Sequence, residues 1–96
     1  MAELLSPEAV QTMLGEIPEW TLDGDNIART FEFENFATAI KFVVRVAELA
    51  EKMNHHPDIN IHWNRVRLLS TTHSSGGLTS MDFTLAVQID KSLAPT

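Results

Sequence analysis

Between Phe36 and Met53 the chain carries apolar residues over more than half of a helical circumference, and it then meets a segment that cannot continue a helix. Phe36, Ile40, Val43, Ala47 and Ala50 form one stripe at helical spacing, and Phe42, Val46, Leu49 and Met53 form a second beside it. Thr38, Lys41, Arg45, Glu48 and Lys52 fill the remaining arc, and Asn35 can cap the start. One sheet cannot cover that much helix. Either another helix of the chain or a second subunit must take the excess. At the far end Asn54 suits a left-handed cap, Pro57 forbids continuation, and His56, preceding proline, is pushed toward extended geometry. The helix is therefore expected to stop just before His55 and His56.

The flanking segments alternate between the two periods of regular structure. Ser6-Pro7-Glu8 reads as a capped helix start, followed by Val10, Met13, Leu14 and Ile17 on one stripe and a stop at Pro18. Trp20 and Leu22 alternate with polar neighbours, Asp23-Gly24-Asp25-Asn26 is a turn cluster, and Ile27 to Phe33 completes a first hairpin. In the second hairpin Ile59, Ile61 and Trp63 share a face, and the phase then inverts to Val66 and Leu68. A two-residue turn at Asn64-Arg65 accounts for the inversion. It would set Trp63 against Val66, Ile61 against Leu68, Ile59 against Ser70 and, counting outward, His56 against His73. Thr79-x-x-Asp82 is a capping-box pattern, flanked by Leu78 and Phe83 as a hydrophobic staple, with Leu85, Ala86 and Ile89 turned inward on the helix that follows. The expected fold is α+β, a four-stranded antiparallel sheet with three helices on one face in the order α-β-β-α-β-β-α.

Ninety-six residues with 44% hydrophobic content and no low-complexity tract suit one domain over residues 1–96. With no cysteine, thiol redox chemistry and thiolate metal sites are excluded. No apolar run is long enough to span a bilayer and no leader pattern opens the chain, so a cytoplasmic protein with no membrane partner is expected. A net charge of −6 with scattered Lys and Arg argues against direct nucleic-acid binding.

The chemistry is carried by imidazoles. His55 and His56 would sit at the negative end of a helix macrodipole, which favours the protonated ring and suits proton delivery near neutral pH. The alternative for such residues is that they only complement the helix end and stay solvated. Adding His73 from across the second hairpin favours a site. His62, on the polar face of that hairpin opposite Arg67, is left out of it. A metal site is disfavoured, because adjacent histidines point apart and no His-x-x-x-His spacing or carboxylate motif completes a coordination sphere. Neither a metal nor a cofactor is called for. Ser74-Ser75-Gly76-Gly77 lies in a loop, without the Gly-x-Ser-x-Gly elbow of a serine hydrolase, and is expected to shape a pocket rim. Three residues keep two readings each. Asp82 is a capping-box acid or a site acid, Glu51 forms a solvated ion pair or orients a histidine, and Trp20 is core or a platform for a ligand ring.

Taken together, Glu51-Lys52-Met53-Asn54-His55-His56-Pro57-Asp58, Asn64-Arg65-Val66, Thr71-Thr72-His73 and Gly77-Leu78-Thr79-x-x-Asp82 resemble the pterin-4a-carbinolamine dehydratases, from Trp20 to about Ile89. By that resemblance His55, His56 and His73 match the family's catalytic histidines. Asn54, Thr71, Thr72 and Ser74 match positions that line its pterin pocket, and Asp82 and Glu51 match acids near it. Asn54 and Ser74 stand where some members carry acids, and Ile59 and Trp63 replace aromatic residues often seen as Trp and Tyr. The resemblance implies a 4a-hydroxytetrahydrobiopterin dehydratase acting in tetrahydrobiopterin recycling, assembled as a homodimer or homotetramer. It also implies an alternative, since some similar proteins serve as dimerisation partners or coactivators of transcription regulators. Losing water from C4a of the ring needs an acid at the departing hydroxyl and a base at N5, and groups titrating near neutrality can be either.

Overall fold

The computed structural model describes residues 3–93 of the 96. Eight elements follow the expected order. They are α1 (Pro7–Leu14), β1 (Thr21–Asp23), β2 (Asn26–Glu32), α2 (Phe36–Met53), β3 (Asp58–His62), β4 (Arg65–Ser70), a short 3-10 turn (His73–Ser75) and α3 (Ser80–Ser92). The sheet is antiparallel throughout, in the order β1-β2-β4-β3, so β2 and β4 are central.

Each boundary has a local cause. Ser6 accepts from the Ala9 amide at 3.1 Å to open α1, which stops at Gly15, before Ile17 and Pro18. Asn35 accepts from the Thr38 amide at 2.8 Å to open α2, and Asn54 closes it in the left-handed region at φ 52°. Gly24, at φ 62°, turns β1 into β2. The Thr79 and Asp82 side chains form a complete capping box at the start of α3, with Leu78 and Phe83 both buried beside it.

Every second residue of β4 is buried, namely Val66, Leu68 and Ser70, and these stand level with Phe31, Arg29 and Ile27 of β2. The helices cover this face. α2 supplies Ala39, Phe42 and Val46, and α3 supplies Phe83, Leu85, Ala86 and Ile89, all in one core, with Ala50 also buried near the end of α2. The α2 stripe that includes Phe42 and Val46 is thus the one turned inward. Of the other stripe only Ala50 is buried, and Phe36 together with the adjacent Val44 is about half exposed. The excess apolar arc is not fully covered by the chain itself.

The second hairpin corrects the expected register. His62 pairs with Arg65, Ile61 with Val66 and Ile59 with Leu68, so the two-residue turn is Trp63-Asn64 rather than Asn64-Arg65. Trp63 takes φ 55° and is exposed, an unfavourable backbone position for an aromatic residue. Asn64 explains the outcome. Its side chain donates to Phe33 O at 2.9 Å and its carbonyl accepts from Phe33 N at 2.9 Å, which ties the turn to the exit of β2. Because the slip is two residues, the face of every strand residue is preserved. What it removes is the predicted strand pairing of Ile59 with Ser70 and of His56 with His73.

Candidate active site

Three element ends meet at one margin of the sheet: the C-terminus of α2, the exit of β4 and the N-terminus of α3. The left-handed Asn54 turns the chain off α2, and His55 N still donates to Ala50 O at 3.0 Å, which plants His55 against the helix end. Pro57 then sends His56 toward β3. On the other side β4 leaves the ladder after Ser70, and the chain folds back within a loop closed by reciprocal Thr72–Gly77 backbone bonds. Gly76, at φ 82°, supplies the left-handed position this loop requires, and His73 begins its 3-10 turn. Asn54, His55, His56, Thr71, Thr72, His73 and Ser74 line one cleft of about 260 Å³. The histidines meet there through the loop and the helix end, not through strand pairing.

Asp82 organises the cleft from beneath. It is fully buried at the third position of α3, where the helix N-terminus favours negative charge. Its Oδ1 lies 2.6 Å from His55 Nε2 and accepts from Ser70 Oγ at 2.6 Å. Its Oδ2 accepts from Thr72 Oγ1 and from the Thr79 amide, each at 2.9 Å. Thr79 Oγ1 lies 2.8 Å from Thr72 Oγ1, and since Thr72 donates to Asp82 it receives the Thr79 proton. Four partners match the acceptor capacity of one carboxylate, so His55 Nε2 carries the hydrogen of its contact. Nδ1 is then the lone-pair nitrogen of the neutral ring and the one left for the cleft.

His55 and His56 stand in opposite environments. The His55 side chain is 8% exposed, whereas that of His56 is 56% exposed and its Nε2 lies 2.5 Å from Glu51 Oε2, on a side chain 76% exposed. A pair this solvated adds little to stability. His73 and Ser74 are exposed on the opposite rim.

Of the residues singled out in the sequence, Trp20 is not brought to this cleft. It is buried edge-on to Phe31, and its indole N–H donates to both Asp90 carboxylate oxygens, at 3.0 and 3.1 Å. Arg29 of β2 reaches the same carboxylate at 2.8 Å and lies over the Phe31 ring, so Trp20, just before β1, and Arg29 together fasten the sheet to α3. Ser70 and Thr79 were missed. The available signal was the alternation Val66, Leu68, Ser70 on an inward strand face, which sets a hydroxyl where the pattern calls for an apolar side chain. A larger recess of about 420 Å³, lined by Leu4, Leu5, Leu22, Leu78 and others, has Asp25 as its one titratable residue among the described ones. The histidine cleft has the groups for proton transfer and the larger recess does not.

The family model described as pterin 4 alpha carbinolamine dehydratase matches residues 3–92. A Nocardia farcinica protein bearing a pterin-4-alpha-carbinolamine dehydratase name is 53% identical over 89 residues, 93% of this chain and 94% of its own. A Roseiflexus protein bearing the same name is 50% identical over 91 residues, 95% of this chain and 98% of its own. A crystal structure described as a transcriptional coactivator/pterin dehydratase from Brucella melitensis superposes with a TM-score of 0.88 at 33% identity, covering 94% of this chain and 98% of that one.

Proposed function

This chain belongs to the pterin 4 alpha carbinolamine dehydratase family, and we propose that it removes water from 4a-hydroxytetrahydropterin to give quinonoid dihydropterin, with His55, His56 and His73 as its acid and base groups. The observation that carries this reading is the gathering of the three imidazoles around one cleft, one of them backed by a buried carboxylate. His55 Nδ1 is the base. Asp82 keeps the ring hydrogen on Nε2, so Nδ1 can accept the proton of ring N5. His56, held by Glu51, or His73 from the opposite rim, delivers a proton to the C4a hydroxyl. The C4a–O bond breaks, water leaves, and the N5 electron pair closes the C4a–N5 double bond. One proton is taken and one given, and exchange with solvent restores the histidines. Asn54 and Thr71, just beyond the end of β4, hydrogen-bond the pterin amide edge, with Ser74 at the rim and Thr72 lining the cleft while its hydroxyl stays committed to Asp82. The activity serves tetrahydrobiopterin recycling after aromatic amino acid hydroxylation. No described helix is long and apolar enough to cross a membrane, and we place this work in the cytoplasm.

The test is to follow carbinolamine breakdown in the ultraviolet with and without protein. Faster decay at catalytic amounts of protein is expected; decay at the spontaneous rate defeats the proposal. A second reading is an interaction module, a dimerisation partner or coactivator. It draws on the half-exposed Phe36 and Val44 of α2 and on the coactivator description of the Brucella structure. The same surface suits self-association as a homodimer or homotetramer, because a short domain gains stability from burial between subunits. Sedimentation velocity at micromolar concentration should show a species heavier than the monomer. Phe36→Asp with Val44→Asp should shift it to the monomer; a monomeric unmodified protein contradicts the assembly.

A further inference from the structure

Ser70 is the last residue of β4 and 2% exposed, and it enters no step of the proposed reaction. Its hydroxyl donates to Asp82 Oδ1, the same oxygen that holds His55 Nε2, and it stands 3.4 Å from that nitrogen. We infer that Ser70 is a positioning residue for the reaction: by occupying the second lone pair of Asp82 Oδ1, it fixes how that carboxylate directs and loads the His55 ring. The inference rests on the assignment of His55 as the base.

The two carboxylate oxygens have separate duties. Oδ2 is held by Thr72 and the Thr79 amide, which anchor Asp82 to the loop and to its own helix. Among the described residues, Oδ1 is shared between Ser70 and His55 alone. A hydroxyl donating to Oδ1 draws charge density away from the His55 contact and confines that contact to one lone-pair direction. Without it the full charge of Oδ1 bears on Nε2–H. The protonated ring is then favoured, and the base stays loaded to higher pH. The ring is also freer to swing, because one of the two groups bracketing Oδ1 is gone.

The titratable groups facing this ring are Asp82 from α3, Glu51 through His56 from α2 and its exit, and His73 from the loop. β4 and the loop that leaves it contribute the hydroxyls of Ser70 and Thr72 on this side. Changing Ser70 therefore alters no charge, and a moved pH profile reports on the Asp82–His55 pair.

The experiment measures kcat and KM for carbinolamine dehydration against pH in the unmodified protein, Ser70→Ala, Ser70→Thr and His55→Ala. Ser70→Ala should lower kcat about tenfold at neutral pH, the scale on which outer partners of a working histidine act. KM should change little, and the acid limb of kcat/KM should move to higher pH. Ser70→Thr, which keeps the hydroxyl, should restore both. If Ser70→Ala does not fold, Ser70→Cys, with a weaker donor of similar size, should move the limb in the same direction by less. A folded Ser70→Ala or Ser70→Cys with unmodified kcat and an unmoved limb overturns the inference, provided His55→Ala is impaired. An unimpaired His55→Ala overturns the base assignment itself, and the inference with it.

Discussion

Asp82→Ala is expected to lower the free energy of unfolding by about 3–5 kcal/mol, the range for removing one partner of a buried charged network. That is a large share of the 5–15 kcal/mol typical of a whole domain. The size follows from what is left behind. His55 Nε2, Ser70 Oγ, Thr72 Oγ1 and the Thr79 amide all lose an acceptor at a fully buried position, and the capping box of α3 is lost with them. Asp82→Asn keeps the volume but presents an amide N–H to donors on one side, so it should be destabilising as well. Urea unfolding should show the midpoint falling with the slope unchanged. Glu51→Ala is the control: both members of its pair are exposed, so its unfolding free energy should stay within about a few tenths of a kcal/mol of the unmodified protein.

The largest loss of activity is expected at His55. His55→Ala should lower kcat by about 10²–10⁴-fold, the contribution of one well-placed acid or base. It should cost less stability than Asp82→Ala, because Asp82 keeps three donors without it. His56→Ala and His73→Ala should each fall less, since either exposed ring leaves another acid on the cleft. Stopped-flow turnover of the three variants separates these outcomes. The double change His55→Ala with Asp82→Ala should be no slower than the worse single, because the two side chains act as one unit.

How much of this was legible in the sequence differs from element to element. The end of α2 could be read in full, since Asn54, His56 and Pro57 each restrict the backbone locally and all agree. The start of α3 was equally plain in Thr79-x-x-Asp82. What local reasoning could not see is that the cap and the site are one object: Asp82 Oδ2 closes the box while Oδ1 reaches back 27 residues to His55. The two readings of that acid were never exclusive.

The second hairpin departs from the expected register for a physical reason. The phase inversion after Trp63 is satisfied equally by a turn at Asn64-Arg65 or at Trp63-Asn64, and positive φ at Trp63 is unfavourable by local rules. The bonds from Asn64 to Phe33, 31 residues away in the chain, outweigh that cost, and no window of the sequence displays them. Ser70 was overlooked because a serine at the end of a strand ordinarily faces water. Only its place on the inward row of a central strand marks it as a buried donor that needs a partner.

The structure of the protein with a reduced pterin bound tests the central claim most directly. The ring should lie in the cleft bounded by Asn54 and Thr71, with His55 Nδ1 within hydrogen-bond reach of ring N5 and His56 or His73 on the side of C4a. A pterin seated elsewhere, in the leucine-lined recess or on the outer face of the sheet, with no imidazole touching N5 or C4a, would contradict it.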